Sequence, residues 1–324
     1  MEQPKDAAAA GITAAAQAGG QPHRLREGSK AEKTTQTGVS GRPKIPEHQK
    51  GHIIMKKIGF IGAGNMGGAL IRAACRSIGP EQVIIADHDR KKAEELAAQT
   101  GCQAAADNLE LAGAAGFIVL AVKPNLIRMV ASEISAKLQE DLRQGISHVA
   151  VTIAAGVPSG AVRDCIGDGV PVIRIMPNTP AAVGQGMILI AAEKGEEACA
   201  GEFQELLKEA GEFLMIPESE FDRTTSISSC SPAYVYMFIS ALADGAVQVG
   251  VPRDQAIRLA AQTVLGSAKM VLETGIHPDQ LKDQVCSPGG STIAGVTALE
   301  ENRFRYAVAQ SIIQSTEKNL KLGK

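Results

Sequence analysis

Between residues 57 and 217 short apolar runs alternate with segments of helical periodicity, and this alternation predicts a mainly parallel sheet covered by helices. The run at 117–122 is apolar throughout, which is typical of a strand buried on both faces. The other predicted strands lie at 57–61, 83–87, near 102, within 149–156, and at 172–176, 187–192 and 213–216. We expect the last two, with a helix at 202–210 between them, to extend the sheet in a partly antiparallel way.

Beyond residue 218 the strand pattern ends and apolar residues recur at helical spacing. The predicted helices lie at 233–249, 254–273, 278–285, 293–300 and 304–322. Their many alanines and glycines allow helices to approach closely, and their apolar stripes are too extensive for one thin layer. We therefore expect this part of the chain to pack against its copy in a homodimer.

The predicted fold is thus an α/β protein: an N-terminal Rossmann-type, doubly wound sheet followed by an all-helical C-terminal dimerisation domain. The domains are expected at 55–217 and 218–324. Residues 1–54 carry few large apolar side chains and no sustained period, so they are predicted to form a disordered leader. Met55 is a second possible start of translation, which leaves open whether the leader belongs to the native protein.

Composition narrows the range of functions. A net charge of −2 gives no electrostatic attraction for nucleic acid or an anionic membrane, and an aromatic content of 3% offers few platforms for base stacking. The six cysteines are scattered without a CxxC pair, which is typical of reduced thiols in the cytoplasm and argues against zinc. No metal site is expected, and no apolar run approaches the length of a membrane span.

A glycine-rich loop joins the first strand to the first helix. The segment from Gly62 to Gly67 has the spacing GxGxxG in the order strand, loop, helix that dinucleotide-binding proteins use. Gly62 is expected to form the tight turn, Gly64 to let the backbone approach a pyrophosphate, and Gly67 to let the helix pack closely. The pyrophosphate would lie at the helix N-terminus.

Asp87 ends the second predicted strand, about twenty residues after the glycines. In this position an acid binds the adenine ribose, which favours NAD over NADP. The basic run Arg90, Lys91 and Lys92 follows closely and could instead meet a 2′-phosphate, so the choice between NADH and NADPH stays open. The alternative for Asp87 is a helix N-cap.

Two further loops follow strands at the same edge of the predicted sheet. Lys123 and Pro124 come after the apolar run, where a doubly wound sheet places ligand contacts. The alternative for Lys123 is a solvated loop lysine. Asn178 and Thr179 lie between two prolines and could face a nicotinamide, or could satisfy backbone groups of their loop.

The segment 286–293, Cys-Ser-Pro-Gly-Gly-Ser-Thr-Ile, predicts a tight turn before a helix. Ser291 or Thr292 is expected to cap that helix. The free N–H groups of such a helix start suit a small anion such as a carboxylate, and the adjacent hydroxyls can bind a second polar atom of the same ligand. An ordinary capped turn between two helices is the alternative.

From residue 55 onward the chain resembles the pyrroline-5-carboxylate reductases. The glycine loop is shared with related dehydrogenases. More specific motifs are Ala-Val-Lys-Pro at 121–124, Arg-Ile-Met-Pro-Asn-Thr-Pro at 174–180, Ala-Asp-Gly at 243–245 and the block at 280–300. One departure is Ser229, where family members usually have glycine, and we expect a modest effect on that turn. The resemblance implies reduction of 1-pyrroline-5-carboxylate to L-proline with NADPH or NADH, the last step of proline biosynthesis.

The resemblance also implies an interleaved homodimer, often assembled further into a ring of dimers. It assigns the substrate carboxylate to backbone N–H groups of the 286–292 loop, and the imine nitrogen to the hydroxyl of Thr292, the predicted catalytic residue. The predicted substrate site contains Ser287, Gly289, Gly290, Ser291 and Thr292. The predicted cofactor site contains Gly62, Ala63, Gly64, Asn65, Met66, Gly67, Asp87, His88, Asn108, Ala121, Val122, Lys123, Pro124 and Asn178.

Two other functions fit parts of the sequence. Another imine or β-hydroxyacid reductase would share the N-terminal architecture, but β-hydroxyacid enzymes use a lysine early in the helical domain and residues 224–244 contain none. No histidine–carboxylate pair is evident, and reduction of an imine does not need a strong base. A catalytically inactive dinucleotide sensor would leave the 287–292 block unexplained.

Overall fold

A single eight-stranded sheet forms the first part of the molecule, in a computed structural model that describes residues 55–322. The leader predicted for 1–54 lies outside the described residues. The strands are β1 (Lys56–Ile61), β2 (Val83–Ala86), β3 (Gln103–Ala104), β4 (Ala115–Leu120), β5 (Val149–Thr152), β6 (Val172–Met176), β7 (Gly186–Ala191) and β8 (Gly211–Met215).

The strand order is β3-β2-β1-β4-β5-β6-β7-β8. Neighbouring strands are parallel throughout, except that β6 and β7 run antiparallel. This confirms the predicted doubly wound sheet with a partly antiparallel extension. The chain moves outward from β1 in one direction and then returns to β4 on its other side. Such a reversal opens a crevice at the carboxyl ends of the strands, where dinucleotides bind in this architecture.

Helices cover both faces of the sheet. They are α1 (Asn65–Ile78), α2 (Arg90–Thr100), α3 (Asn108–Ala114), α4 (Ile127–Arg143), α5 (Ser159–Ile166) and α6 (Glu197–Leu206). Because strand side chains alternate between the two faces, each face has its own core. Phe60 and Ile85 pack with α1, α2 and α6, whereas Ile84 and Ile118 pack with α3, α4 and α5.

Beyond Pro217 the described chain is helical, as predicted. The helices are α7 (Glu218–Thr225), α8 (Ser231–Gln248), α9 (Arg253–Thr274), α10 (Pro278–Val285), α11 (Ser291–Glu301) and α12 (Phe304–Leu322). A π-helical turn, Ser226–Cys230, joins α7 to α8. Neither α7 nor this turn was evident from the sequence, because Phe221 is the one large apolar residue of α7 and a single position shows no periodicity.

Several predicted boundaries differ from the structure by a few residues, among them those of β4 and α6. The strand expected at 117–122 is β4, which ends at Leu120, and the chain then enters a 3₁₀ turn at Pro124–Leu126 because proline has no N–H to continue a ladder. The helix expected at 202–210 is α6, which begins at Glu197. Within 55–322 no helix combines the length and hydropathy needed to cross a bilayer, and no three His, Cys, Asp or Glu side chains cluster as a metal site.

Candidate active site

The glycine loop between β1 and α1 has the geometry of an anion site. Gly62 has a φ of 111°, and a Cβ there would lie 2.4 Å from the carbonyl oxygen of Ala121. A Cβ on Gly67 would lie 2.2 Å from the carbonyl oxygen of Gly62. A Cβ on Gly64, in contrast, would meet nothing within 4 Å. Gly62 and Gly67 are therefore needed for packing, whereas Gly64 borders open space.

That open space lies at the first turn of α1. Gly64 is the N-cap, no side chain caps the helix, and the first turn contains no acidic residue. The first N–H groups of α1 thus lack both an internal partner and a competing carboxylate. Together with the room beside Gly64, these groups fit the pyrophosphate of a dinucleotide.

Asp87 follows β2 directly and is held by the glycine loop. Its Oδ2 accepts a hydrogen bond from the Ala63 N–H at 2.7 Å, and its Oδ1 accepts one from the Asp89 N–H at 2.9 Å. The alternative of a helix N-cap is wrong for Asp87, because the cap of α2 is Asp89, whose carboxylate accepts from the Lys92 N–H. The exposed ring of His88 lies with Nδ1 2.9 Å from Asp87 Oδ1.

The remaining residues of the predicted cofactor site differ in whether their side chains already have a polar partner. Lys123 is exposed at the carboxyl end of β4, with no ion pair among the described residues, and Ala121 and Val122 lie beside Gly62. Asn108 begins α3, and its side-chain amide donates to Glu133 Oε2 at 2.9 Å. Lys123 can therefore reach a ligand, whereas the Asn108 side chain is already occupied.

Asn178 does not have a free side chain. Its Nδ2 donates to the carbonyl oxygen of Ser228 at 2.9 Å, and its Oδ1 accepts from the Met187 N–H at 3.1 Å. The side chain is buried, so it satisfies backbone groups on two sides of its loop, as the structural alternative for this residue predicted. We therefore leave Asn178 out of the cofactor site.

The loop predicted to bind substrate connects α10 to α11 and is exposed. Gly289 has a φ of 67°, the left-handed conformation that glycine adopts most easily. The Gly290 N–H donates to the Ser287 carbonyl oxygen at 3.0 Å, so Gly290 shapes the loop but does not offer its N–H to a ligand. The free N–H groups of the loop are therefore those on either side of this bond.

The predicted capping of α11 by Ser291 or Thr292 is wrong. The N-cap is Gly290, in an extended conformation and without a side-chain cap, because Ser291 is already the first helical residue. Both hydroxyls are exposed, and neither has a hydrogen-bond partner within the described chain. Free N–H groups and two free hydroxyls therefore meet at one helix start.

Arg305, the second residue of α12, holds this hairpin of helices together. Its Nη2 lies 2.8 Å from Asp279 Oδ1 at the start of α10, and its Nε lies 2.5 Å from Glu300 Oε1 near the end of α11. The hydrogen bond and charge of Arg305 lower the pKa of Asp279 below its ordinary value. Sequence reasoning missed this contact, because its three residues are joined only by the tertiary fold.

A buried arginine joins the sheet to the helical half. Arg174 on β6 is 1% exposed, its Nη1 lies 3.0 Å from Glu218 Oε1, and its Nη2 lies 2.5 Å from Asp222 Oδ1. Its guanidinium carbon lies 4.3 Å from the centroid of the Phe221 ring. These three partners all come from α7. The motif at 174–180 contained Arg174, but no sequence signal showed that its partners would be there.

The predicted residues form two groups in one chain. The glycine loop, Asp87 and the 121–124 segment meet at the carboxyl ends of β1, β2 and β4. The 286–292 loop belongs to the helical half, and no hydrogen bond joins it to the sheet half within the described residues. Residues of α11 are exposed along almost its whole length. One chain alone therefore leaves the 286–292 loop uncovered.

Comparison with known proteins identifies both halves. A family model described as pyrroline-5-carboxylate reductase dimerisation matches residues 218–322, and one described as NADP oxidoreductase coenzyme F420-dependent matches residues 57–144. Pyrroline-5-carboxylate reductase of Escherichia coli is 43% identical over 274 residues, covering 83% of this chain and 99% of that protein. The enzyme of Arabidopsis thaliana is 35% identical over 271 residues, covering 83% and 96%.

Solved structures give the same result. Pyrroline carboxylate reductase of Plasmodium falciparum, crystallised with NADP bound, superposes with a TM-score of 0.73 at 31% identity, covering 83% of this chain and 100% of that one. Pyrroline-5-carboxylate reductase of Coxiella burnetii gives a TM-score of 0.75 at 28% identity, covering 83% and 99%. The glycine loop, the exposed 286–292 loop and likeness along nearly the full length of these relatives agree: the chain belongs to the pyrroline-5-carboxylate reductase family.

Proposed function

We propose that this protein is an NAD(P)H-dependent oxidoreductase that reduces 1-pyrroline-5-carboxylate to L-proline, the last step of proline biosynthesis. The observation that carries the proposal is the 43% identity to the Escherichia coli enzyme over 99% of its length. The site described above supports it, because an anion site for a dinucleotide and a second one for a carboxylate occur on separate halves of the same chain.

The reaction joins a hydride and a proton to one C=N bond. A bound reduced nicotinamide supplies the hydride to the imine carbon, and the nitrogen ends with one N–H. The chain has to position an electrophile that is already reactive, so orientation accounts for most of the catalysis. The absence of a lysine from 224–244 fits this chemistry better than that of a β-hydroxyacid enzyme.

The 286–292 loop is proposed to hold the substrate. Free N–H groups of Ser287, Gly289 and the first turn of α11 would receive the carboxylate, because a helix N-terminus without acidic residues favours an anion. The exposed hydroxyl of Thr292 would donate or accept a hydrogen bond at the imine nitrogen. Ser291 would contribute the adjacent hydroxyl, and Gly290 would fix the turn.

The cofactor is proposed to lie across the carboxyl ends of β1 and β4. The N–H groups from Gly64 to Gly67, through Asn65 and Met66, would hold the pyrophosphate. Asp87 and His88 would border the adenine ribose, whereas Lys123, Pro124 and the backbone of 121–122 would border the nicotinamide half. The N-terminal turn of α3 would offer the backbone of Asn108, since its side chain bonds to Glu133.

The helical half is proposed to complete the site as a dimer. Its match to a dimerisation model, and the exposure of α11 within one chain, support an arrangement in which the partner copy covers the substrate loop. We further propose domain limits at 55–217 and 218–324, assembly of dimers into a ring, and a cytoplasmic location. Six free cysteines support that location.

A steady-state assay tests the function. We expect oxidation of NADH or NADPH with 1-pyrroline-5-carboxylate, with L-proline identified by chromatography, and no turnover with hydroxyisobutyrate and the oxidised cofactors. Turnover of the hydroxyacid instead would assign the protein to the β-hydroxyacid reductases. Tight cofactor binding with turnover of neither substrate would support a dinucleotide sensor and refute the proposed reaction.

A further inference from the structure

The carboxylate of Asp87 is fixed where a bound adenine ribose would lie. The residue comes directly after β2, at the edge of the sheet that holds the glycine loop. Its side chain is 6% exposed, and each oxygen accepts a backbone N–H, from Ala63 at 2.7 Å and from Asp89 at 2.9 Å. Because donors from two segments hold it, the carboxylate cannot rotate away from a ligand without breaking these bonds.

The nearby cations do not offset this negative charge. Arg90 is paired with Glu94 at 2.8 Å, and Lys91 lies 3.8 Å from Glu95. Three cations, Arg90, Lys91 and Lys92, face four carboxylates between residues 87 and 95: Asp87, Asp89, Glu94 and Glu95. The Nδ1 of the exposed His88 ring lies 2.9 Å from Asp87 Oδ1, so this ring is already in contact with the carboxylate.

Asp87 therefore interacts differently with a ribose and with a 2′-phosphorylated ribose at this edge of the sheet. A free 2′-hydroxyl can donate to the remaining acceptor sites of the Asp87 carboxylate, which has about four in total. A 2′-phosphate has no such donor when ionised and adds negative charge beside a carboxylate that is held in place. We infer that Asp87 is the specificity-determining residue of the cofactor site and makes this enzyme select NADH over NADPH.

This inference rests on the proposed cofactor site and names the dinucleotide that it accepts. The expected preference is roughly 10- to 100-fold in Kd, the range associated with losing a hydrogen bond to a charged group. Two cations of the basic run at 90–92, which could favour NADPH on sequence grounds, are paired along their own helix: Arg90 with Glu94 and Lys91 with Glu95.

Isothermal titration calorimetry with NAD⁺ and with NADP⁺ tests the inference without turnover. We expect wild-type protein to bind NAD⁺ more tightly, and Asp87→Asn and Asp87→Ser to reduce the ratio of the two Kd values. The matched control is Asp89→Asn, which removes the same charge two residues away and keeps a side-chain oxygen that can cap α2. It should change the ratio much less than either Asp87 variant does, because the Asp89 carboxylate caps α2.

The outcomes of this experiment distinguish the role of Asp87 from the proposed reductase function. Equal or tighter binding of NADP⁺ by wild-type protein, or an unchanged ratio in the two Asp87 variants with normal melting temperatures, overturns the role of Asp87 but leaves the reductase assignment intact. Failure of wild-type protein to bind either dinucleotide overturns the cofactor site itself. The wild-type ratio alone decides the preference if both Asp87 variants fail to fold.

Discussion

The two halves of the molecule bury their apolar side chains to very different extents. The sheet half has a packed core on each face, built from strands and helices of one chain. Beyond Pro217 the structure buries four hydrophobic side chains among the described residues: Phe221, Ala243, Ala256 and Ala260. In the same half Leu272 is 83% exposed and Met237 is 72% exposed. The sheet half can therefore be stable as one chain, whereas the helical half needs another surface to cover it.

Glycines show the same difference. In the sheet half Gly62, Gly67 and Gly211 lie so close to backbone that a Cβ would clash. On the helices of the second half, a Cβ added to Gly245 or Gly266 would meet nothing within 4 Å. Small residues beside open space allow a partner helix to approach closely. Gly62, Gly67 and Gly211 thus serve the folding of the sheet half, and we expect Gly245 and Gly266 to serve assembly of the helical half.

The largest expected effect comes from placing a charge on the uncovered face. We predict that Met237→Asp on α8 will dissociate the dimer and abolish turnover, because an unpaired charge in an interface costs on the order of several kcal/mol per subunit. Light scattering coupled to size-exclusion chromatography measures the mass. The matched control is Met129→Asp on α4, where the side chain is 61% exposed in the sheet half and the mass should not change.

A dimer of unchanged stability in Met237→Asp, with full activity, would mean that α8 does not lie in the interface. The same loss of mass in Met129→Asp would mean that exposure alone does not distinguish the two halves.

The next prediction distinguishes a glycine needed for dinucleotide binding, Gly64, from one needed for packing, Gly67. Gly64→Val should raise the Kd of the dinucleotide by about 100-fold, since the added side chain would keep the pyrophosphate from the backbone N–H groups and a lost hydrogen bond to a charged group costs up to about 3 kcal/mol. Its melting temperature should stay normal, because a Cβ at Gly64 meets no protein atom within 4 Å. Gly67→Val should instead lower the melting temperature, because the Gly62 carbonyl oxygen is in the way.

Calorimetric titration and thermal unfolding of the two variants measure both quantities. Tight binding by Gly64→Val would show that the pyrophosphate lies elsewhere, and a normal melting temperature for Gly67→Val would contradict the packing of α1.

The third effect concerns the contribution of Thr292, in the helical half, to kcat. Thr292→Ala should lower kcat by roughly 100-fold, the lower end of what a positioned proton donor or acceptor contributes. Its effect on the Kd of the dinucleotide should be small, since the residues proposed to bind the cofactor lie in the sheet half. Thr297→Ala on the same helix is the control, because that hydroxyl already donates to the Ile293 carbonyl oxygen. Wild-type kcat in Thr292→Ala would remove Thr292 from the catalytic assignment.

Local patterns were sufficient to predict most of the sheet half from the sequence. The order of strand, glycine loop and helix depends on neighbours in the chain, and the structure confirms it at β1 and α1. The limits of α10 and α12 were also predictable, because proline begins the first and the apolar period of the second is long. Hydrophobic periodicity further indicated that the second half needs a partner.

Tertiary contacts set the limits of that prediction. Asn178 could be assigned either to a nicotinamide or to its own loop until the positions of Ser228 and Met187 were known. The N-cap of α2 lies two residues further along the chain than the alternative interpretation of Asp87 placed it, at Asp89. Arg174 lies 44 and 48 residues from its two carboxylate partners, and Arg305 lies 26 residues from Asp279, beyond the reach of any local pattern.

The smallest expected effect comes from the contacts by which Arg305 joins α12 to α10 and α11. Arg305 lowers the pKa of Asp279, so this carboxylate stabilises the folded protein above its ordinary pKa of 3.8, and the contribution is lost as pH falls through the lower folded value. We predict that Arg305→Gln will lower the urea midpoint of the dimer slightly at pH 7, and that the difference from wild type will vanish in acid. Exposed ion pairs contribute little to stability, so the change in urea midpoint should be well below that caused by Met237→Asp.

Combining Arg305→Gln with Asp279→Asn should lower the urea midpoint by less than the sum of the two single effects, because each substitution removes the same contact. Strict additivity would mean that the hairpin is held by something other than this pair.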